Sequence, residues 1–255
     1  MHRMIRGWLL AAVLCVLAGT AAAETQKLTV GVHRQMDATL FAPDGPGPYP
    51  AVLVLHTSGG LKQADLDYAR QLADEGYVCL VPAFLDAYGL AAFSRVETFT
   101  VHASDIYDDF VAAIAQLRTN PKVAGGKVAA VGFSNGGYFA MWLAGTGKVD
   151  AGVSYYGALT GAGSDKTLSR FASAFTANSS PVLILHGTSD RTVPVAAAER
   201  LQSIIERAGS PVTMQLYKGV GHQFERELRN DETRAAAADA WTHTLAFLSA
   251  RLRGS

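Results

Sequence analysis

The stretch VGFSNGG at residues 131–137 places Ser134 between two glycines, in the pattern Gly-x-Ser-x-Gly. A mostly apolar run at residues 127–131 predicts a strand before the serine, and the apolar run at residues 138–144 predicts a helix after it. A strand that turns directly into a helix at a serine needs small residues on both sides, so that no side chain blocks the sharp turn. The pattern therefore predicts a nucleophile elbow, which lifts the Ser134 hydroxyl above the edge of a sheet.

Strand and helix patterns alternate along the rest of the chain, without an internal repeat or a low-complexity linker. Amphipathic segments separate apolar runs that are typical of strands buried on both faces. The clearest of these runs are residues 51–55, 78–81 and 182–185. A strand pair at residues 28–32 and 37–41 is expected at the sheet edge. This alternation predicts an α/β fold, with a doubly wound, mostly parallel sheet in a single domain.

Two segments lack a clear pattern and are predicted to be irregular. Residues 83–104 carry scattered aromatic side chains, and residues 157–180 are interpreted as a loop that contains Phe171 and Phe175. These two segments are expected to determine which substrate is accepted. Cys79 lies in a predicted buried strand, so it is interpreted as a small core residue rather than a nucleophile.

Residues 1–23 have the three-part layout of a secretory signal peptide. Arg3 and Arg6 precede an apolar run, and an Ala-rich end supplies an A-x-A cleavage pattern before Glu24. An uncleaved membrane anchor is the alternative, because the apolar run approaches the length that spans a bilayer. The Ala-rich end favours cleavage, which predicts a periplasmic or secreted domain at residues 24–255 with no stable membrane insertion.

The overall composition excludes several classes of partner. Hydrophobic residues make up 49% of the chain and charged residues 17%, which is typical of a globular protein. The formal net charge is zero, so nothing indicates a nucleic-acid partner. The histidines lack metal-ligand spacing, the two cysteines Cys15 and Cys79 do not form a metal-ligand pair, and no phosphate-binding Gly-x-x-x-x-Gly-Lys pattern occurs. Neither a metal nor another cofactor is expected, and the predicted partner is a small-molecule substrate.

Two later loops supply the partners that a nucleophilic serine requires. Acyl transfer needs a base that takes the serine proton and a carboxylate that orients the base. Asp190 and His222 each follow a predicted strand, and the chain order Ser, Asp, His is the one found with this type of elbow. Because the carboxyl ends of parallel strands meet at one edge, Ser134, Asp190 and His222 are predicted to form a triad. A plain turn residue is the alternative for Asp190.

The remaining histidines fit the role of base less well. His186 ends a predicted strand and is expected to pack beneath the site, whereas His243 lies on the polar side of the last helix. His33 and His102 have no triad-like context.

The oxyanion of the reaction would be held by two backbone N–H groups. The first is predicted to come from Asn135, the residue after the serine. The second is assigned to Ser58, in the His-Thr-Ser-Gly-Gly segment at residues 56–60, where the glycines allow a close approach to substrate. The alternative for this segment is a plain tight turn.

Four motifs resemble the dienelactone hydrolase family of α/β-hydrolases. They are PAVLVLH at residues 50–56, ADEGYV at 73–78, GFSNGG at 132–137 and HGTSD at 186–190. The resemblance extends over about residues 40 to 250 and implies the α/β-hydrolase fold without a large cap domain. It also implies an esterase or lactonase, with Ser134 as nucleophile, Asp190 as acid and His222 as base.

The chain departs from the usual pattern of that family at two positions. Ser134 stands where typical members have cysteine, and Thr57 stands where they have glutamate. A serine with a complete triad resembles a general carboxylic-ester hydrolase, so we expect cleavage of a small ester or lactone. A serine peptidase or amidase of the same fold is one alternative. A non-catalytic binding protein is the other, although such relatives usually lose a triad member.

Overall fold

A computed structural model describes residues 23–158 and 164–253, and these residues form one layered domain around an eight-stranded sheet. The strands are β1 (Glu24–Val30), β2 (Met36–Ala42), β3 (Tyr49–Leu55), β4 (Val78–Pro82), β5 (Val123–Phe133), β6 (Ala151–Tyr155), β7 (Val182–Gly187) and β8 (Val212–Tyr217). Their order in the sheet is β1-β2-β4-β3-β5-β6-β7-β8. β2 pairs antiparallel with β1 and β4, and all other neighbours are parallel, so the predicted doubly wound, mostly parallel sheet is confirmed.

Helices cover both faces of this sheet. They are α1 (Gln63–Asp74), α2 (Phe84–Ala87), α3 (Ala103–Arg118), α4 (Asn135–Gly145), α5 (Ser164–Ala174), α6 (Val195–Arg207) and α7 (Asp231–Leu252), with a π-helical turn at Glu97–Val101 before α3. Side chains of α3, α4, α5 and α6 share one core layer with the sheet, while α1 and α7 contribute to the layer on the other face. Among the described residues, no helix is long and apolar enough to cross a membrane.

The prediction of a loop at residues 157–180 was wrong, because α5 occupies much of this segment. Phe171 and Phe175 are four residues apart and both are buried, with Phe175 packed against Gly145 at the end of α4. This spacing is helical. Serine, glycine and alanine make up most of the segment, however, so the helical periodicity of its apolar residues is weak. Residues 159–163 lie outside the described part of the chain.

Two other predictions concern the N-terminal segment and Cys79. The proposed signal peptide falls almost entirely on residues 1–22, which are outside the described residues. Cys79 is a buried free thiol in β4, as predicted, and burial raises its pKa well above the usual value. A thiol with a raised pKa is a poor nucleophile, which agrees with its interpretation as a core residue.

Candidate active site

Ser134 stands at the turn between the end of β5 and the first residue of α4, with φ of 50°. The turn requires both neighbouring glycines. A Cβ atom on Gly132 would lie 2.1 Å from the carbonyl oxygen of Gly136, and one on Gly136 would lie 2.1 Å from the carbonyl oxygen of Leu55. The predicted strand–serine–helix elbow is therefore present, and the glycines are explained by close backbone contacts.

The structure brings Ser134, His222 and Asp190 together from three separate loops. His222 Nε2 lies 3.2 Å from Ser134 Oγ, and His222 Nδ1 lies 2.7 Å from Asp190 Oδ2. Because an ionised carboxylate can only accept, Nδ1 carries the proton and donates to Asp190. Nε2 is then the acceptor for the serine hydroxyl, which is the arrangement that a general base needs.

Asp190 combines this contact with the role of a turn residue. Its Oδ1 atom accepts hydrogen bonds from the backbone N–H groups of Thr192 and Val193, each at 2.8 Å. Burial on its own raises the pKa of the carboxyl, but the hydrogen bonds from His222 and the two N–H groups outweigh it and lower the pKa. The side chain is thus held ionised and in one orientation against His222.

His186 and His243 lie where the sequence predicted them, and His33 and His102 lie away from Ser134. His186 is fully buried beneath the site, where its Nε2–H donates to the Val193 carbonyl at 2.8 Å, and burial lowers its pKa. His243 is exposed on α7 beside Asp239. His33 lies beside Asp108, and His102 lies at the start of α3 against the Tyr88 ring. In the described structure, His222 is the histidine within hydrogen-bond reach of Ser134.

The two proposed oxyanion donors lie on segments that touch each other. Asn135 opens α4, so its N–H has no partner within the helix. The segment that holds Ser58 contacts the elbow, because the Gly136 N–H donates to the His56 carbonyl at 3.1 Å. This segment is also a tight turn, in which the Gly59 N–H donates to Thr57 Oγ1 at 3.1 Å.

His56 anchors this segment from below. Its ring is fully buried and stacks on Phe84 at a centroid distance of 3.9 Å, while Nδ1–H donates to the Thr57 carbonyl at 2.8 Å. Burial lowers the pKa of His56 to about 4, so the ring is neutral near pH 7. His56, two residues before Ser58, is therefore a structural support.

A buried polar network behind His222 was not predicted from the sequence. The Tyr156 ring packs against the His222 ring at a centroid distance of 4.4 Å, and its hydroxyl donates to Glu225 Oε1. Arg226 donates from Nε to Glu225 Oε1 at 2.6 Å and from Nη2 to Asp65 Oδ1 at 2.7 Å. This network ties the loop that carries His222 to helix α1.

Two carboxylates in the network share one guanidinium group. Asp65 and Glu225 are almost completely buried, and the Arg226 guanidinium also stacks on the Phe133 ring at 4.6 Å. Burial raises the pKa of Glu225, although Arg226 and the Tyr156 hydroxyl act in the opposite direction. The sequence does indicate part of this network, because Glu225 and Arg226 follow His222 by only three and four residues. No local pattern connects them to Asp65.

Backbone strain is concentrated around the same centre. Among the described residues, the non-glycine residues with positive φ are Phe93, Ser134, Tyr156 and Gln223, with φ of 67°, 50°, 42° and 59°. Ser134 is the elbow, Tyr156 packs on His222, Gln223 follows His222, and the Phe93 N–H donates to the Ser58 carbonyl at 2.6 Å. Strained conformations cluster at functional sites because the surrounding structure must hold them in place.

Comparison with known proteins gives a consistent result. A Methylorubrum extorquens protein with the provisional name carboxymethylenebutenolidase is 26% identical over 234 residues, covering 89% of this chain and 78% of that protein. The structure of a dienelactone hydrolase-like promiscuous phosphotriesterase from metagenomic libraries is 26% identical, with a TM-score of 0.73 and coverage of 91% of this chain and 99% of that one.

A second solved structure and a family model extend this comparison. A provisionally named dienelactone hydrolase from Klebsiella pneumoniae has the same fold, with a TM-score of 0.76 at 22% identity, and covers 90% of this chain and 99% of that one. The family model described as the dienelactone hydrolase family matches residues 36–252, a span that includes the elbow, Asp190 and His222. This chain is a member of the dienelactone hydrolase family.

Proposed function

We propose that this protein is a serine hydrolase that cleaves a small carboxylic ester or lactone. The observation that supports it best is the hydrogen-bonded series Ser134–His222–Asp190 at a strained strand–helix elbow. The names carried by relatives in the same family, a butenolidase among them, agree with ester or lactone chemistry.

The proposed reaction begins with attack of Ser134 Oγ on the substrate carbonyl carbon. His222 Nε2 takes the hydroxyl proton, and the ionised Asp190 stabilises the imidazolium that forms. The backbone N–H groups of Asn135 and Ser58 are proposed to hold the oxyanion, and because α4 begins at Asn135, the N–H of that residue has no partner within the helix.

The tetrahedral intermediate then collapses into an acyl-enzyme. The leaving alcohol takes the proton from His222, and the acyl group stays on Ser134 Oγ. Water then attacks the ester carbonyl as His222 takes its proton, and His222 returns that proton to Ser134 Oγ as the acid leaves. In a lactone, the alcohol and acid remain parts of one product.

A chromogenic short-chain ester tests this function with wild type and Ser134→Ala compared under the same conditions. We expect turnover by wild type and a loss of at least about 10³-fold in Ser134→Ala. Equal turnover by both proteins would rule out the serine mechanism. Absence of ester and lactone turnover together with cleavage of a peptide or phosphotriester would reassign the substrate class.

We also propose that the chain is exported and that residues 1–23 are removed. The composition of these residues supports this, with two arginines before an apolar run and alanines before Glu24. The intact mass of protein from a periplasmic or secreted fraction tests it. The expected mass is that of a chain whose first residue is Glu24. A full-length chain in the membrane fraction would contradict the proposal.

A further inference from the structure

Phe93 combines two unfavourable features at one position. Its φ of 67° lies in the left-handed region, which is a genuine outlier for a bulky aromatic residue. The residue is also 69% exposed, so the ring gains little from burial in the folded protein. Neither feature stabilises the fold, so a functional role is the better explanation for both.

The segment around Phe93 is not loosely held, so the exposure is not a consequence of a free loop. The Phe93 N–H donates to the Ser58 carbonyl at 2.6 Å, and Thr98 Oγ1 donates to the Ser94 carbonyl at 2.7 Å. Phe99 is buried, with its ring 4.9 Å from that of Tyr138. The same segment therefore buries one aromatic ring and presents another to solvent.

The exposed ring stands beside the segment that holds Ser58, one of the two proposed oxyanion donors. A Cβ atom placed on Gly59 would lie 3.9 Å from Phe93 Cζ, so the tip of the ring is next to Gly59. Ser58 precedes this glycine, and its segment contacts the elbow of Ser134 through the Gly136–His56 hydrogen bond. A substrate carbonyl bound between Ser58 and Asn135 would bring one of its substituents towards Phe93.

We propose that Phe93 is a specificity-determining residue, and that its ring packs against an alkyl or aryl substituent of the substrate ester. The inference rests on the proposed function and narrows it to esters with an apolar substituent. Substrate binding covers the ring and gains the apolar contact that the free protein lacks. The strained backbone then serves to aim the ring at the site.

The test uses two series of esters and two substitutions at Phe93. One series varies the acyl group of p-nitrophenyl esters from acetate to hexanoate and benzoate, and the other varies the alcohol of acetate esters from ethyl to benzyl. Phe93→Asn removes the ring but suits the left-handed backbone, whereas Phe93→Leu keeps an apolar side chain. Val101→Ala is the matched control, because Val101 is 64% exposed on the π-helical turn.

In wild type, kcat/KM is expected to rise with apolar size in at least one series. Phe93→Asn should reduce that rise by about tenfold, mainly through KM. Its kcat/KM for the smallest ester, the acetate or ethyl member, should stay within about twofold of the wild-type value. Phe93→Leu should recover part of the preference, and Val101→Ala should match wild type.

Two results would overturn the proposal while the serine mechanism stands. If Phe93→Asn keeps the wild-type preference for large apolar esters, the ring does not contact substrate, and a role in binding a partner protein would explain its exposure instead. An equal loss on the smallest and largest esters would show that Phe93 only supports the Ser58 segment. If wild type hydrolyses no ester and a fluorophosphonate probe leaves Ser134 unlabelled, the proposed function fails first and this inference fails with it.

Discussion

The two sides of the Ser134 elbow are built in opposite ways. On the side of His222, the ring is held by Asp190 and Tyr156, and a buried network leads through Glu225 to Arg226. On the side of Ser58, the Ser58 carbonyl accepts a hydrogen bond from the Phe93 N–H, and the Phe93 ring is exposed to solvent.

This difference matches two different requirements of a hydrolase. The base must be fixed before the reaction begins, since electrostatic preorganisation is effective only when donors and charges need not rearrange. The surface that meets the variable part of a substrate benefits from an exposed apolar group that is covered only on binding. We therefore expect substitutions on the His222 side to affect rate and stability, and substitution of the exposed Phe93 to affect substrate preference.

The largest effect is expected for His222→Ala. Without the imidazole, no group in the described structure is within reach to take the proton of Ser134, so kcat/KM should fall by a factor of about 10⁴ or more. Hydrolysis of a chromogenic ester measures the loss. His243→Ala is the control and should retain full activity, because His243 is exposed on α7. Similar activity in both variants would remove His222 from the mechanism.

The next effect concerns the buried network behind His222, the proposed base. Arg226→Met leaves Asp65 and Glu225 buried without their cation, so the free energy of unfolding should fall by about 3–5 kcal/mol. Denaturant unfolding measures it. Arg229→Met is the matched control, because the Arg229 side chain is 77% exposed in its pair with Glu227, and a change below about 0.5 kcal/mol is expected. Equal effects of the two substitutions would mean that the network contributes no more to the free energy of unfolding than a surface ion pair does.

On the opposite side, the buried His56 should make the fold sensitive to acid. Its folded-state pKa of about 4 lies below the ordinary 6.5, so the stability that it contributes is present above pH 6.5 and is lost as the pH falls towards 4. The lost free energy of unfolding is about 3 kcal/mol between pH 7 and pH 4.

Unfolding of His56→Gln over the same pH range tests this dependence. The decline in stability between pH 7 and pH 4 should be smaller than in wild type by about that amount. His243→Gln, which removes a histidine that is 46% exposed on α7, should follow wild type. Identical declines in wild type and His56→Gln would show that His56 does not lose its proton on folding.

The smallest effect is expected for Tyr156→Phe. The change keeps the ring against His222 and removes the hydrogen bond to Glu225, which should reduce the free energy of unfolding by about 1–2 kcal/mol. Tyr49→Phe is the control, since the Tyr49 hydroxyl bonds the Asp44 carbonyl at the surface. A stability loss no larger than that of the control would show that Glu225 does not depend on this donor.

The same contrast explains how much the sequence could predict. Ser134, Asp190 and His222 each follow an apolar strand, and parallel strands end at one edge, so their meeting could be predicted from local patterns. The network could not, because Arg226 reaches Asp65 across 161 residues of sequence through contacts that no periodicity encodes.

The conformation of Phe93 could not be predicted from the sequence for a different reason. The positive φ of Phe93 is imposed by the surrounding structure and has no sequence signature, since the residue is a phenylalanine rather than a glycine. Helix α5 was missed because its two buried aromatic residues lie among small and polar residues. In both places, tertiary contacts override weak local preference.

The most direct test of the central claim is where a fluorophosphonate probe attaches to the wild-type protein. Peptide mapping by mass spectrometry should find one adduct, on the Ser134 hydroxyl, with loss of ester hydrolysis in proportion to labelling. Ser134→Ala should remain unlabelled, and His222→Ala should react far more slowly. Full ester hydrolysis by a protein without an adduct on Ser134, or an adduct on another residue that tracks the loss of activity, would contradict the account.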